Sequence, residues 1–114
     1  MDKKFYITTP IYYPSAKPHM GHAYSSIIAD FFARFKRMDG FDVQFLTGTD
    51  EHGLKIQRSA EKNNIDPLEF CNQISQTFRD LSKILNLTNT DFIRTTEERH
   101  KKTVQHLWNE LEKN

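Results

Sequence analysis

Two imidazoles flank a glycine in Pro18-His19-Met20-Gly21-His22, and the segment falls between an apolar run and a long amphipathic stretch. A helix start there would expose unpaired N–H groups and the positive end of the helix dipole, which makes it a place to hold phosphate. His19 and His22 would add donor side chains, and Gly21 has no Cβ to keep a flat ligand off the backbone. With an unperturbed pKa of about 6.5, either imidazole can be cationic beside a phosphate and donate through both nitrogens. The i, i+3 spacing also suits a metal on a helix face, but no carboxylate or thiol stands at a helical offset to complete such a site. The structural alternative is that each ring caps backbone groups. Gly21 between the rings, and their place at a helix start, favour an anionic ligand.

A second polar cluster follows in Gly48-Thr49-Asp50-Glu51-His52-Gly53. Two carboxylates and an imidazole could be an acid/base set, or simply a solvated turn, since Gly, Thr and Asp are common turn residues. A carboxylate such as Asp50 could receive a substrate ammonium through a charge-assisted hydrogen bond. Pro10-Ile11-Tyr12-Tyr13 carries no charge and would either line a small slot with polar ends or pack under its own loop. Arg99-His100-Lys101-Lys102 reads as a solvated helix face, because no aromatic residues interleave it to stack on RNA bases. There is no Gly-rich P-loop and no Gly-x-Gly-x-x-Gly fingerprint, which disfavours Walker-type phosphoryl transfer and dinucleotide binding.

These residues need elements to position them. Residues 4–9 are aromatic and β-branched and predict a buried strand. Residues 10–18 hold three prolines and predict a loop. A helix follows over 21–39, where Ile28, Phe31, Phe32 and Phe35 form the expected core-facing stripe, with Gly40 just past its end. Residues 42–47 predict a second strand and 54–62 a helix. Asp66-Pro67 predicts an N-cap with proline at N1, opening a helix whose apolar seam is Cys71, Ile74, Phe78, Leu81 and Leu85. Residues 92–94 predict a short third strand. Thr95 with Glu98 predicts a capping box for the last helix, which carries Val104, Leu107, Trp108 and Leu111 at helical spacing. A strand, a crossover helix and a second strand make a right-handed βαβ unit with parallel strands. Ligands of open α/β sheets bind at the carboxyl ends of strands, so the loops over 10–22 and 48–53 should face one crevice although they lie far apart in the chain.

Composition bounds the rest. The 114 residues suffice for one domain of globular type, with 37% hydrophobic and 27% charged residues. The net charge of +1 supplies no field to draw the chain to DNA or a membrane. The one cysteine, Cys71, can form neither an intrachain disulfide nor a Cys-rich zinc site. No stretch reads as a secretory signal or approaches the ~20 apolar residues of a membrane span. A reducing, cytoplasmic compartment is expected.

With these residues in view, the chain resembles the N-terminal part of the methionyl-tRNA synthetase family of class I aminoacyl-tRNA synthetases. The resemblance rests on Thr8-Thr9-Pro10-Ile11-Tyr12-Tyr13, on Pro18-His19-Met20-Gly21-His22, on Phe45-Leu46-Thr47-Gly48-Thr49-Asp50-Glu51-His52-Gly53, and on Asp91-Phe92-Ile93-Arg94-Thr95-Thr96-Glu97-Glu98-Arg99-His100. The His-x-Gly-His element is common to the whole class, whereas the other stretches are more specific. The resemblance implies the first half of a Rossmann-like α/β catalytic domain over residues 1–114. It also implies ATP-dependent activation of methionine to methionyl-adenylate, followed by transfer to tRNA(Met). His19, Met20, Gly21 and His22 would contact ATP, with His19 and His22 stabilising charge at the α-phosphate and Gly21 letting adenine lie against the backbone. Asp50 would bind the methionine ammonium, and Pro10, Ile11, Tyr13 and His52 would complete the methionine side of the site. Mg2+ would arrive with ATP, and some family members hold zinc through cysteine pairs. Those pairs, the Lys-Met-Ser-Lys-Ser signature that clamps the ATP phosphates, and the anticodon-binding domain do not occur in these 114 residues. The chain is therefore expected to need the rest of a synthetase as partner and to show little activity alone. Two other classes compete: a small nucleotidyltransferase built on the same His-x-Gly-His element, and a non-catalytic module that binds a nucleotide or a partner.

Overall fold

A computed structural model describes residues 3–114. The elements run β1 (Lys4–Thr8), α1 (Met20–Met38), β2 (Asp42–Thr49), α2 (Leu54–Lys62), α3 (Pro67–Ile84), β3 (Asp91–Arg94) and α4 (Glu98–Glu112). The three strands form one sheet in the order β1-β2-β3. Both pairings are parallel, with Lys4 opposite Asp42 and Thr8 opposite Leu46 in the first, and Leu46 opposite Asp91 and Thr49 opposite Arg94 in the second. All three strands therefore end at one edge, as the βαβ argument requires. Among the described residues no helix is long and apolar enough to cross a membrane.

The helix limits follow from local chemistry. Asp66 caps α3 by accepting from the N–H groups of Leu68 and Glu69, and Pro67 occupies the first turn, where no N–H is needed. Gly40, at φ +87°, reverses the chain after α1 in a conformation that residues with a Cβ disfavour. In β2, Gly48 lies so close to β3 that an added Cβ would stand 2.0 Å from the Ile93 carbonyl oxygen.

Two expectations are corrected here. The Ile28/Phe31/Phe32/Phe35 stripe does not face the sheet: Phe31 is 65% and Phe35 53% exposed. The buried face of α1 is Ser26, Ala29, Asp30 and Ala33, equally well spaced at i, i+3, i+4 and i+7. Small side chains let the helix axis come close to the strands, and Ala29 and Ala33 pack directly on Val43 and Phe45, with Phe5, Ile7 and Phe41 around them. Asp30 then serves as a tether. Its carboxylate accepts from the backbone N–H and hydroxyl of Thr88 (2.8 and 2.5 Å) and pairs with Arg34 at 2.7 Å. Burial alone would favour the neutral acid, but the Arg34 and Thr88 donors outweigh it and hold the Asp30 carboxyl below its ordinary value.

The second correction concerns Thr95. It does not cap α4, whose N-cap is Glu97 without a side-chain bond. The Thr95 hydroxyl instead accepts the backbone N–H of Glu51 at 2.8 Å, a long-range partner in the loop after β2. A second core, formed by Ile56, Ala60, Phe70 and Cys71 with Tyr13, Ile65 and Ile74 against them, fixes α2 and α3 beneath that loop.

Candidate active site

Helix α1 begins with a reciprocal cap made of two histidines. His19 is the N-cap residue, in extended conformation, and its Nδ1 accepts the N–H of Gly21 at 3.0 Å. The Nδ1 of His22 accepts the N–H of His19 at 3.0 Å. Imidazoles thus play the parts that Ser and Glu take in a capping box. The rings stack with centroids 3.9 Å apart. A backbone N–H can only donate, so both Nδ1 atoms are acceptors and each ring carries its proton on Nε2. In this arrangement each ring has its Nε2 free of the cap. A Cβ on Gly21 would lie 2.9 Å from His19 Cε1, so the glycine makes room for the capping ring. The Met20 side chain, by contrast, is 85% exposed.

Burial, and then the neighbouring His19, hold the His22 imidazole below its ordinary pKa. A folded-state value below the unfolded one of about 6.5 means the unfolded chain takes up the proton first. The contribution of His22 is then complete above about pH 6.5 and is lost as the pH falls from there through the folded-state value. Melting temperatures are expected to drop between pH 7 and pH 5, and to drop less in His22→Gln. Equal slopes in the two proteins would refute this role for His22.

Tyr12 joins the helix start to the second loop. Its N–H donates to the Gly48 carbonyl at 2.9 Å and its carbonyl accepts the Asp50 N–H at 2.8 Å. Its buried ring stacks on Phe78 and stands edge-on to His22, with centroids 5.3 and 5.0 Å apart. Its hydroxyl is hydrogen-bonded to Ser26 Oγ. The two loops expected to share a crevice are thereby hydrogen-bonded to each other. Of the two readings open for the tyrosines, packing under the loop holds for Tyr12. Tyr13 takes another course: its hydroxyl lies over Gly53, where a Cβ would stand 2.3 Å away and where φ is +134°. Pro10 and Ile11 are exposed on the crest of the loop.

In the second loop the three polar residues separate in role. Asp50 is half-buried, and no salt bridge among the described residues engages its carboxylate. His52 is exposed, and its Nε2 lies 3.3 Å from the Thr95 carbonyl, to which it can donate. It also borders a cavity of about 260 Å³ shared with Thr95, His100, Lys101, Val104 and Gln105. Glu51 is only 4% exposed and bonds inward to Arg94, Thr49 and Thr96. An acid/base trio is thus ruled out for Glu51, whose carboxylate is fully engaged. Sequence reasoning missed Arg94 and Thr96, although its own topology rule points to them: the third parallel strand also ends at this edge. A cavity of about 530 Å³ opens beside the end of β3, bounded by Arg79, Phe92, Arg94 and Arg99 among others, and none of His19, His22, Asp50 and His52 lines it. Among the described residues, no three His, Cys, Asp or Glu side chains converge as metal ligands.

Comparison with known proteins gives a consistent answer. The family model described as tRNA synthetases class I (M) matches residues 5–114. The mitochondrial methionine–tRNA ligase of Takifugu rubripes is 56% identical over 110 residues, covering 96% of this chain and 19% of that protein. The methionine–tRNA ligase of Rickettsia conorii is 55% identical over 111 residues, covering 97% of this chain and 22% of that protein. The Mycobacterium tuberculosis methionyl-tRNA synthetase bound by methionyl-adenylate superposes with a TM-score of 0.92 at 45% identity, over 94% of this chain and 21% of the other. The chain thus spans about a fifth of the length of the relatives it matches.

Proposed function

The chain belongs to the class I tRNA synthetases of the methionine type, and from that premise we propose that it works as the N-terminal half of the catalytic domain of a methionine–tRNA ligase. The observation that carries the proposal is the reciprocal histidine cap. It sets two Nε2–H donors at the positive end of α1 and is joined through Tyr12 to the loop bearing Asp50.

On this reading, ATP lies at the start of α1. The Nε2–H groups of His19 and His22 donate to oxygens of the α-phosphate, Met20 and Gly21 border the nucleotide, and Gly21 lets adenine approach the backbone. Asp50 receives the methionine ammonium, and Pro10, Ile11, Tyr13 and His52 border the amino acid. The methionine carboxylate then attacks the α-phosphorus as the bond to pyrophosphate breaks. Charge grows on the α-phosphate oxygens, and the histidine donors stabilise that growth. A terminal hydroxyl of tRNA(Met) next attacks the methionyl carbonyl and AMP leaves. Mg2+ bound to the incoming ATP would screen the phosphate charge. The buried free thiol of Cys71 fits a reducing compartment, and we assign the work to the cytoplasm. The outer edge of β1, where no strand pairs among the described residues, and the exposed aromatic stripe of α1 fit further strands and helices of a longer catalytic domain.

The test is methionine-dependent exchange of pyrophosphate into ATP by an intact ligase built with this 114-residue segment. Exchange that requires methionine supports the proposal, and exchange indifferent to methionine overturns it. The 114 residues alone are expected to run at least ~10²-fold slower, because they lack the second phosphate clamp.

A further inference from the structure

Glu51 sits between the two residues assigned to methionine, yet it faces away from them. Its carboxylate accepts a bidentate pair from Arg94 (Nε 2.7 Å, Nη2 2.8 Å), the hydroxyl of Thr49 at 2.5 Å and the hydroxyl of Thr96 at 2.8 Å. Its backbone is held as well, the N–H donating to Thr95 Oγ1 at 2.8 Å and the carbonyl accepting the Cys71 thiol at 3.7 Å. Arg94 is fixed in turn, since Nη2 also donates to Asn72 Oδ1 at 2.6 Å. One residue of the loop is therefore anchored to the end of β3, to α3 and to the turn before α4.

Such an investment is more than loop closure requires. A solvated turn needs no buried ion pair, and burying one offers little net stability. What it does provide is position. Asp50 and His52 are the sequence neighbours of Glu51, so their backbone atoms are held by its anchors, with Tyr12 holding Asp50 from the other side. A charged partner must be placed within about an ångström to be effective, and misplacement on that scale can cost roughly 10²-fold.

We propose that Glu51 and Arg94 are positioning residues for the methionine ammonium: the pair fixes the loop so that the Asp50 carboxylate meets the substrate, while touching no substrate itself. The inference rests on the methionine–ligase reading above and deepens it. It locates methionine recognition partly in β3 and α3, which contribute no contact residue.

The Cys71 thiol reports on the same anchor, because it is buried and donates to the Glu51 carbonyl, so a loosened loop exposes it. An intact ligase built with this segment is compared with its Arg94→Lys variant, since lysine keeps the charge and loses the fork. KM for methionine is expected to rise roughly 10-fold to 100-fold while KM for ATP changes less than about threefold, and Cys71 should become faster to alkylate. Equal rises in both KM values would mean a scaffold role only, and an unchanged methionine KM would mean no role; either overturns the proposal. Should Arg94→Lys fail to fold, Thr96→Val removes one donor and leaves the ion pair. It is expected to raise KM for methionine alone, by about threefold, and no shift there refutes the idea. Failure of the parent reading looks different: the unsubstituted ligase would itself show no methionine-dependent exchange.

Discussion

Gly48→Ala is expected to lower the melting temperature by at least about 10 °C, followed by far-UV circular dichroism. The added Cβ would stand 2.0 Å from the Ile93 carbonyl oxygen and 2.7 Å from Ile93 Cγ2. The nearest atom belongs to backbone, so no rotamer change relieves the clash, and β2 and β3 must separate where they are paired. Overpacking that side chains can absorb costs about 1–3 kcal/mol, and a backbone clash stands at the upper end or above. For a domain of this size each kilocalorie is worth several degrees. The damage also lands at the functional edge, because Gly48 accepts the Tyr12 N–H and is two residues from Asp50. A melting temperature within two degrees of the parent would show that the strands can part without loss.

The second large effect is kinetic. In an intact ligase built with this segment, His19→Ala or His22→Ala is expected to slow methionine adenylation by ~10²–10³-fold, as loss of a donor aimed at developing charge commonly does. The geometry adds a complication and its remedy. Each histidine also caps α1, so alanine removes a cap together with a donor. Asparagine at position 19 can accept the Gly21 N–H with its side-chain oxygen but has no imidazole donor. His19→Asn is therefore expected to keep the parental melting temperature and still show the slow rate. Pyrophosphate exchange at near-parental rate in His19→Asn would reduce the histidine to a helix cap.

The sequence was most legible where a local rule suffices. Asp66-Pro67 opens α3 as expected because cap and proline act within one turn. The 42–47 strand was read two residues short, because Gly48 and Thr49 look like a turn and only the partner strand shows that they pair. The face of α1 was misread because the large aromatic residues and the small alanines are both helically spaced. Hydrophobicity picks the first set, whereas close approach to a sheet needs the second. In the candidate site, the histidines, Asp50 and the tyrosine loop stand out in the sequence by type and position, and the structure brings their two loops together. The inward turn of Glu51 could not, since it depends on Arg94, Thr95 and Thr96 arriving from β3. Thr95 shows the same limit: its spacing to Glu98 is that of a cap, and a distant N–H competes successfully for its hydroxyl.

The parallel order of the strands also constrains how the chain reaches this shape. No two neighbouring strands are joined by a hairpin, so Lys4 must find Asp42 across all of α1, and Leu46 must find Asp91 across α2 and α3. Each pairing closes a long loop before it gains a contact, and that entropy is spent early in the search. Nothing in the sheet can zip up locally. Both pairings that build the carboxyl edge are therefore non-local, and topology of this kind slows folding relative to hairpin-joined strands.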